Sequence, residues 1–149
     1  YTSGDDLRAM GIPPGPLCGK LVSGSSLTLE DGRIITPEMV MSELRSGTRL
    51  AALGDLGETE KLVDLLQGVD GLVIESTYLE EEADMAKQFA HLTARQAAEF
   101  AAKIQARKLM LTHLSRRYRD KDVLAEAQQY FADVVVARDF DTFSIKREE

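Results

Sequence analysis

Only two histidines occur in this chain of 149 residues, and both lie within two positions of a hydroxyl-bearing residue. They are His91, in Phe89-Ala-His-Leu-Thr93, and His113, in Leu111-Thr-His-Leu-Ser-Arg-Arg-Tyr118. The apolar run over 108–111 reads as a short buried strand that delivers His113 to its end. A neutral imidazole in that position can ligate a metal or pass a proton, and the arginines after it carry planar guanidinium groups suited to phosphate. Asp55, preceded by Gly54 and followed by Leu56-Gly57, can project a carboxylate from a second strand end. Imidazole and carboxylate together form an N/O donor set of the kind zinc and manganese accept. Glu75 closes the apolar run Leu72-Val-Ile74, where an acid is costly unless it is solvated, paired or functional. There it can accept a histidine ring proton.

Each residue also has a plainer role open to it. Asp55 can cap the helix expected from Thr59 or close an Asx turn, and Glu75 can sit in water at a strand end. His91 precedes Thr93, which has N-cap character with Gln96 at capping-box spacing, so His91 can simply lead into a helix. Arg116 and Arg117 can form a solvated pair, and Tyr118 can lie over the core. Taken jointly they form one coherent site: Asp55 and His113 as ligands, His91 as proton donor or charge stabiliser, and Ser115, Arg117 and Tyr118 around a phosphate. Two ligands do not complete a metal site, since even catalytic zinc takes about three from protein. The first 54 residues contain no histidine.

The elements that must position these groups follow an α/β rhythm. Strands are expected over 49–53, 72–75, 108–112, 134–137 and 142–145, and helices over 59–66, 80–89, 93–106 and 122–131. Sequential parallel strands tend to be neighbours, which would bring Asp55, Glu75 and His113 to one edge. Ahead of this portion, residues 1–19 are rich in glycine and proline and are expected to form a loop. Residues 20–35 form a hairpin region, with short strands over 20–22 and 26–29 and a turn at Asp31-Gly32 before Ile34-Ile35. Thr36-Pro37-Glu38 opens a short helix.

With 44% hydrophobic residues the chain can build a core of single-domain size. A lone Cys18 excludes an internal disulfide and a cysteine-based zinc cluster, which fits a reducing, cytoplasmic setting. No apolar run approaches the roughly 18–20 residues that cross a bilayer, so no membrane association is expected. The net charge of −7 argues against broad, non-specific adhesion to nucleic acid. Positive charge instead gathers around His113, where Arg107, Lys108, Arg116, Arg117, Arg119 and Lys121 face a single acid, Asp120.

Five segments, in order, resemble motifs of tRNase Z, the metallo-β-lactamase-fold endonuclease family that trims the 3′ side of precursor tRNA. Gly11-Ile-Pro-Pro-Gly-Pro-Leu-Cys-Gly-Lys-Leu21 resembles its glycine- and proline-rich segment, and Leu53-Gly-Asp55 its Gly-Asp-Thr metal motif. Ile74-Glu-Ser-Thr77 is similar to His-Glu-Ala-Thr, His91-Leu-Thr93 to His-Ser-Thr, and Thr112-His-Leu-Ser-Arg-Arg-Tyr118 to Thr-His-x-Ser-x-Arg-Tyr. Leu56, Ile74 and Leu92 depart from the family pattern, and its His-x-His-x-Asp-His motif is absent.

The resemblance implies the second half of a metallo-β-lactamase-type αβ/βα sandwich, with a mixed sheet flanked by helices, over residues 1–149 as one half-domain. It implies two-metal phosphodiester hydrolysis with two zinc ions in the intact enzyme, manganese or magnesium being substitutes. Asp55 would bridge the ions, His113 would be a terminal ligand, and His91, with Glu75, would assist catalysis. Ser115, Arg117 and Tyr118 would lie near a substrate phosphate. Precursor tRNA is the implied partner, and the site would be incomplete without an N-terminal half or companion chain. Two other readings remain: a metallo-β-lactamase-fold hydrolase for another phosphodiester or ester, and a non-catalytic half-fold that self-associates, as a dimer, through its uncovered apolar face.

Overall fold

The computed structural model describes residues 4–41 and 47–146; residues 1–3 of the expected loop and 147–149 at the end of the α/β portion lie outside the described residues. The chain divides into two units, residues 1–46 and 47–149.

The first unit holds α1 (Gly4–Ala9), α2 (Pro16–Val22), β1 (Leu27–Thr28), β2 (Ile34–Ile35) and α3 (Pro37–Val40). The expected hairpin is present, with Leu27 opposite Ile35 and Thr28 opposite Ile34. Gly32 supplies the left-handed residue of its turn, at φ 82°. Two expectations are corrected. The segment over 1–19 is not a continuous loop, because Pro16 sits in the first turn of α2, where a missing N–H removes no helical bond. Gly11, at φ 86°, turns the chain before α2. Residues 20–22 are helix rather than strand, since Cys18 and Leu21, three apart, share a face on a small core of Ile12, Leu21, Leu27, Ile35 and Val40.

In the second unit, apolar runs separated by helices form a sheet in which every strand runs the same way, as helical crossovers require. The strands β3 (Leu50–Ala52), β4 (Gly71–Glu75), β5 (Leu109–Thr112) and β6 (Val134–Val136) lie in sequence order and are all parallel. Among the described residues, antiparallel pairing is confined to the hairpin of the first unit. Between strands run α4 (Val63–Leu66), α5 (Ala83–Gln88), α6 (Ala94–Lys103) and α7 (Asp120–Ala127), with single 3-10 turns at Glu60–Leu62 and Glu80–Glu82.

Register decides the faces. Ala51, Leu72, Leu109 and Val134 stand opposite one another across the sheet, and Ile74 and Leu111, two residues further along, share their face. They pack with Ala97, Ala98 and Ala101 of α6 and Val123 and Ala127 of α7 in one core. Leu72, Ile74, Leu109 and Leu111 are fully buried, and each such side chain contributes about 1.5–3 kcal/mol relative to exposure. Alanine on α6 keeps that helix close to the strands.

The strand expected over 142–145 does not form. Arg138 and Asp141 close a turn through bonds in both directions, of 3.0 and 3.1 Å. Ile145 then fills the space that a Cβ at Gly71 would take, on the face opposite Leu72. Covering that gap buries apolar surface; pairing at the sheet edge would leave Ile145 in water. No helix of the described residues is long and apolar enough to cross a membrane.

Thr93 caps α6 in a full capping box with Gln96, and its hydroxyl donates to Glu80 at 2.7 Å. Thr93→Ala is expected to cost at least about 1–2 kcal/mol, the worth of the cap alone. Urea denaturation measures it, and Thr93→Ser should recover most of the loss.

Candidate metal centre

Parallel strands end on the same side, and β4 and β5 end in step, with Glu75 opposite Thr112. Leu53 continues the ladder by donating to the Val73 carbonyl at 2.9 Å. The segments leaving β3, β4 and β5 therefore emerge side by side, and the site is assembled from them with the turn before α6.

Glu75 lies at its centre. It is 1% exposed, and both carboxylate oxygens are used. Oε1 accepts from the Leu56 N–H and pairs with His91 Nδ1, each at 3.0 Å, while Oε2 accepts from the Thr77 hydroxyl at 2.5 Å. Burial acts to raise the Glu75 pKa, but hydrogen bonds from Thr77, the Leu56 N–H, the His91 ring and the Leu92 N–H outweigh it and hold the carboxyl below its ordinary value of 4.5. The acid is ionised and fully occupied at neutral pH, not solvated at a strand end.

Proton counting follows from that charge. An ionised carboxylate only accepts, so His91 Nδ1 carries the hydrogen facing Glu75. Thr77 has one proton and four neighbours: Glu75 Oε2, His113 Nδ1 at 2.9 Å, the His113 carbonyl at 3.1 Å and His91 Nδ1 at 3.4 Å. The charged acceptor is nearest and takes it, leaving Thr77 Oγ1 to accept from His113 Nδ1–H. In its neutral form each ring so held keeps its lone pair on Nε2. Their centroids lie 5.3 Å apart.

Asp55 approaches His113 Nδ1 with Oδ1 at 3.5 Å. Asp55, His91 and His113 each offer a ligand atom within 4.8 Å of the others, with Asp55 and His113 exposed and His91 half-buried. One carboxylate and two imidazoles are hard-to-borderline donors that fit zinc or manganese. The loop geometry that permits this is tight. A Cβ on Gly57 would come within 2.9 Å of the Ala90 backbone, so glycine lets the Asp55 loop press against the residue before His91. Ala90 and His113 both adopt left-handed backbone, each at φ 55°, which aims the two histidines away from regular structure.

Of the residues picked out by sequence, Asp55, Glu75, His91 and His113 come together. Ser115, Arg117 and Tyr118 lie on the loop after His113. Ser115 N–H donates to the Thr77 carbonyl at 3.3 Å, and its hydroxyl meets the Arg117 N–H at 3.5 Å. Arg117 donates to Glu82 at 2.7 Å, and among the described residues the buried Tyr118 hydroxyl has no partner. Thr77, the hub between Glu75 and both histidines, was not singled out from sequence. Its signal was its place two residues after Glu75, on the same side of an extended segment. Leu56 and Leu92, departures from the family pattern, serve Glu75 through their backbone N–H groups, which any residue supplies.

Because folding depresses the Glu75 pKa, its ionised form stabilises the fold above about pH 4.5, and that contribution disappears as pH falls through the lower folded value. Glu75→Gln should therefore be destabilising at about pH 7, with the gap to the parent chain narrowing towards about pH 4. Urea midpoints at the two pH values test this; a gap that widens in acid contradicts it.

Residues 28–114, which include Asp55, Glu75, His91 and His113, match the model of the Beta-lactamase superfamily domain. A Ribonuclease Z of Bradyrhizobium diazoefficiens is 44% identical over 137 residues, covering 92% of this chain and 46% of that protein. The crystal structure of human tRNase Z, short form, superposes with a TM-score of 0.55 at 28% identity, over 76% of this chain and 37% of the other. The metallo-beta-lactamase fold protein YhfI from Bacillus subtilis, at 20% identity, shares the fold with a TM-score of 0.56 over 60% of this chain and 37% of its own. The chain thus spans about half the length of the curated relatives it matches. With a matching domain model over its site and a sheet that superposes on metallo-β-lactamase-fold structures, the chain belongs to the beta-lactamase superfamily.

Proposed function

We propose that this chain is the C-terminal half of a ribonuclease Z, a metal-dependent endoribonuclease that cleaves precursor tRNA at its 3′ side. The observation that carries the reading is the meeting of Asp55, His91 and His113 within 4.8 Å at the ends of parallel strands, backed by a buried, ionised Glu75. The relatives named Ribonuclease Z and the human tRNase Z supply the substrate class.

Two zinc ions are the proposed cofactors, and Asp55 and His113 are the residues of this chain that would hold them. Such ions would supply Lewis-acid chemistry at a phosphoryl group and at water. Glu75 fixes His91 through Nδ1 and pairs with its imidazolium form, in which Nε2–H is the group that gives a proton to the departing 3′ oxygen and Nε2 is left with its lone pair. Thr77 does for His113 what Glu75 does for His91, holding Nδ1 so that Nε2 stays available. Ser115, Arg117 and Tyr118 form the loop that receives a neighbouring phosphate. The remaining ligands would come from an N-terminal half or companion chain, so the isolated chain is inactive. Its setting is the cytoplasm, and this chain forms a homo-oligomer, a dimer, through its uncovered apolar face.

Metal analysis after dialysis of the 149-residue chain is expected to find fewer than two ions per chain; two tightly held ions would sink the half-site reading. In the full-length protein, Asp55→Ala should abolish precursor-tRNA cleavage and lower the metal content. Gly57→Ala, which touches no ligand, should weaken metal binding about 10-fold or more by pushing the Asp55 loop off Ala90, as misoriented ligand shells do. Unchanged metal affinity in Gly57→Ala would show that the two loops are not held by this contact.

A further inference from the structure

Arg117 does not hang free beside the His113 loop. Its Nη1 donates to Glu82 Oε1 at 2.7 Å and lies 3.6 Å from Met85 Sδ. Glu82 closes the 3-10 turn that leads into α5, and its side chain is more sheltered than the arginine it holds, at 27% exposure against 49%. The bond is monodentate. A guanidinium carries donors on three nitrogens, and among the described residues Nε and Nη2 of Arg117 have no acceptor. Arg119, two residues on, is held differently: Nε and Nη2 are both forked onto Asp122, at 2.7 and 3.1 Å, which uses up the edge a phosphate would need.

Glu82 is poorly explained as a stabilising group. Among the described residues its second oxygen, Oε2, is buried with no partner, as is the hydroxyl of Tyr118, and both residues line one cleft with Arg117. A buried carboxylate oxygen without a donor weakens the fold. The compensating benefit lies with the arginine. A long, rotamer-rich cation must otherwise be ordered when substrate arrives, whereas one already fixed by a single bond retains its other edge for a bidentate phosphate contact.

We propose that Glu82 is the positioning residue for Arg117, orienting it for a phosphate of the RNA substrate; this rests on the reading of Arg117 as a phosphate contact. Glu82 does not itself touch the substrate. It acts only through Arg117, so its effect must vanish when Arg117 is gone.

A double-mutant cycle in the full-length protein carrying this chain tests the proposal. Glu82→Ala, Glu82→Gln, Arg117→Ala and Glu82→Ala/Arg117→Ala are compared for kcat and KM on precursor tRNA, for binding of a fluorescent single-stranded RNA by anisotropy, and for thermal midpoint. Glu82→Ala should raise KM and the RNA dissociation constant about tenfold with kcat nearly unchanged. Glu82→Gln, which keeps an oxygen acceptor, should recover most of that loss, and the thermal midpoint of Glu82→Ala should hold or rise. On the Arg117→Ala background, Glu82→Ala should add nothing. The proposal is overturned if the Glu82→Ala effect persists without Arg117, if RNA binding is unchanged, or if it tightens, which would make Glu82 a competitor for the phosphate. Should Arg117→Ala itself leave RNA binding and KM unaltered, the phosphate reading of the loop fails and takes the proposal with it.

Discussion

A carboxylate that is 1% exposed has to be met by donors, and Glu75 draws them from three separate stretches of chain: the loop after β3, the segment leaving β4, and the turn before α6. Desolvation alone would favour its neutral form, which would accept fewer hydrogen bonds and release one of these stretches. Because the bonds outweigh burial, the charge persists, and the charge orients the rest. It fixes the proton on His91 Nδ1, takes the proton of Thr77, and through Thr77 sets the proton on His113. One buried charge thus determines which nitrogen each histidine presents.

Main-chain strain works in the same direction. Ala90 and His113 occupy left-handed backbone, which carries a cost of order 1–3 kcal/mol per residue when neither is glycine. The sheet core below them, with Leu72, Ile74, Leu109 and Leu111 fully buried, holds the strand ends rigid enough to sustain it. Gly57 is the complementary case, where a missing side chain allows two loops to meet.

The repeating apolar runs made the second unit legible, because a run of four or five buried residues between helical stretches admits few other readings, and strand ends then predict where chemistry emerges. Boundaries shifted by a few residues, with β3 ending at Ala52, β6 at Val136 and α7 at Ala127. The first unit was harder: glycine and proline were read as breakers, although Pro16 begins a helix and Gly11 merely turns the chain ahead of it. Residues 142–145 have strand-like composition, but the choice between edge pairing and packing over Gly71 depends on a gap in another strand, which local pattern cannot register. The same limit hid Glu82, whereas Thr77 stands only two residues after its partner Glu75. Glu82 matters through Arg117, which is far from it in sequence, so its sequence neighbourhood carries no trace of the partner.

Exposure divides the site into a supporting layer and an open one. Glu75 and Thr77 are sealed inside, whereas the side chains of His113 and Asp55 are 52% and 57% exposed. In a metal centre the groups that orient ligands are costly to assemble late, because each must find a buried partner while the ligand is still mobile. Here that assembly is completed within residues 53–113, and what stays open is the side from which further donors and a phosphodiester would approach. On the proposed function, joining the missing ligands then requires only that they meet Asp55 and His113 already held in place. The entropy of ordering the two loops has been met by folding, so the metal's binding energy remains available for holding substrate.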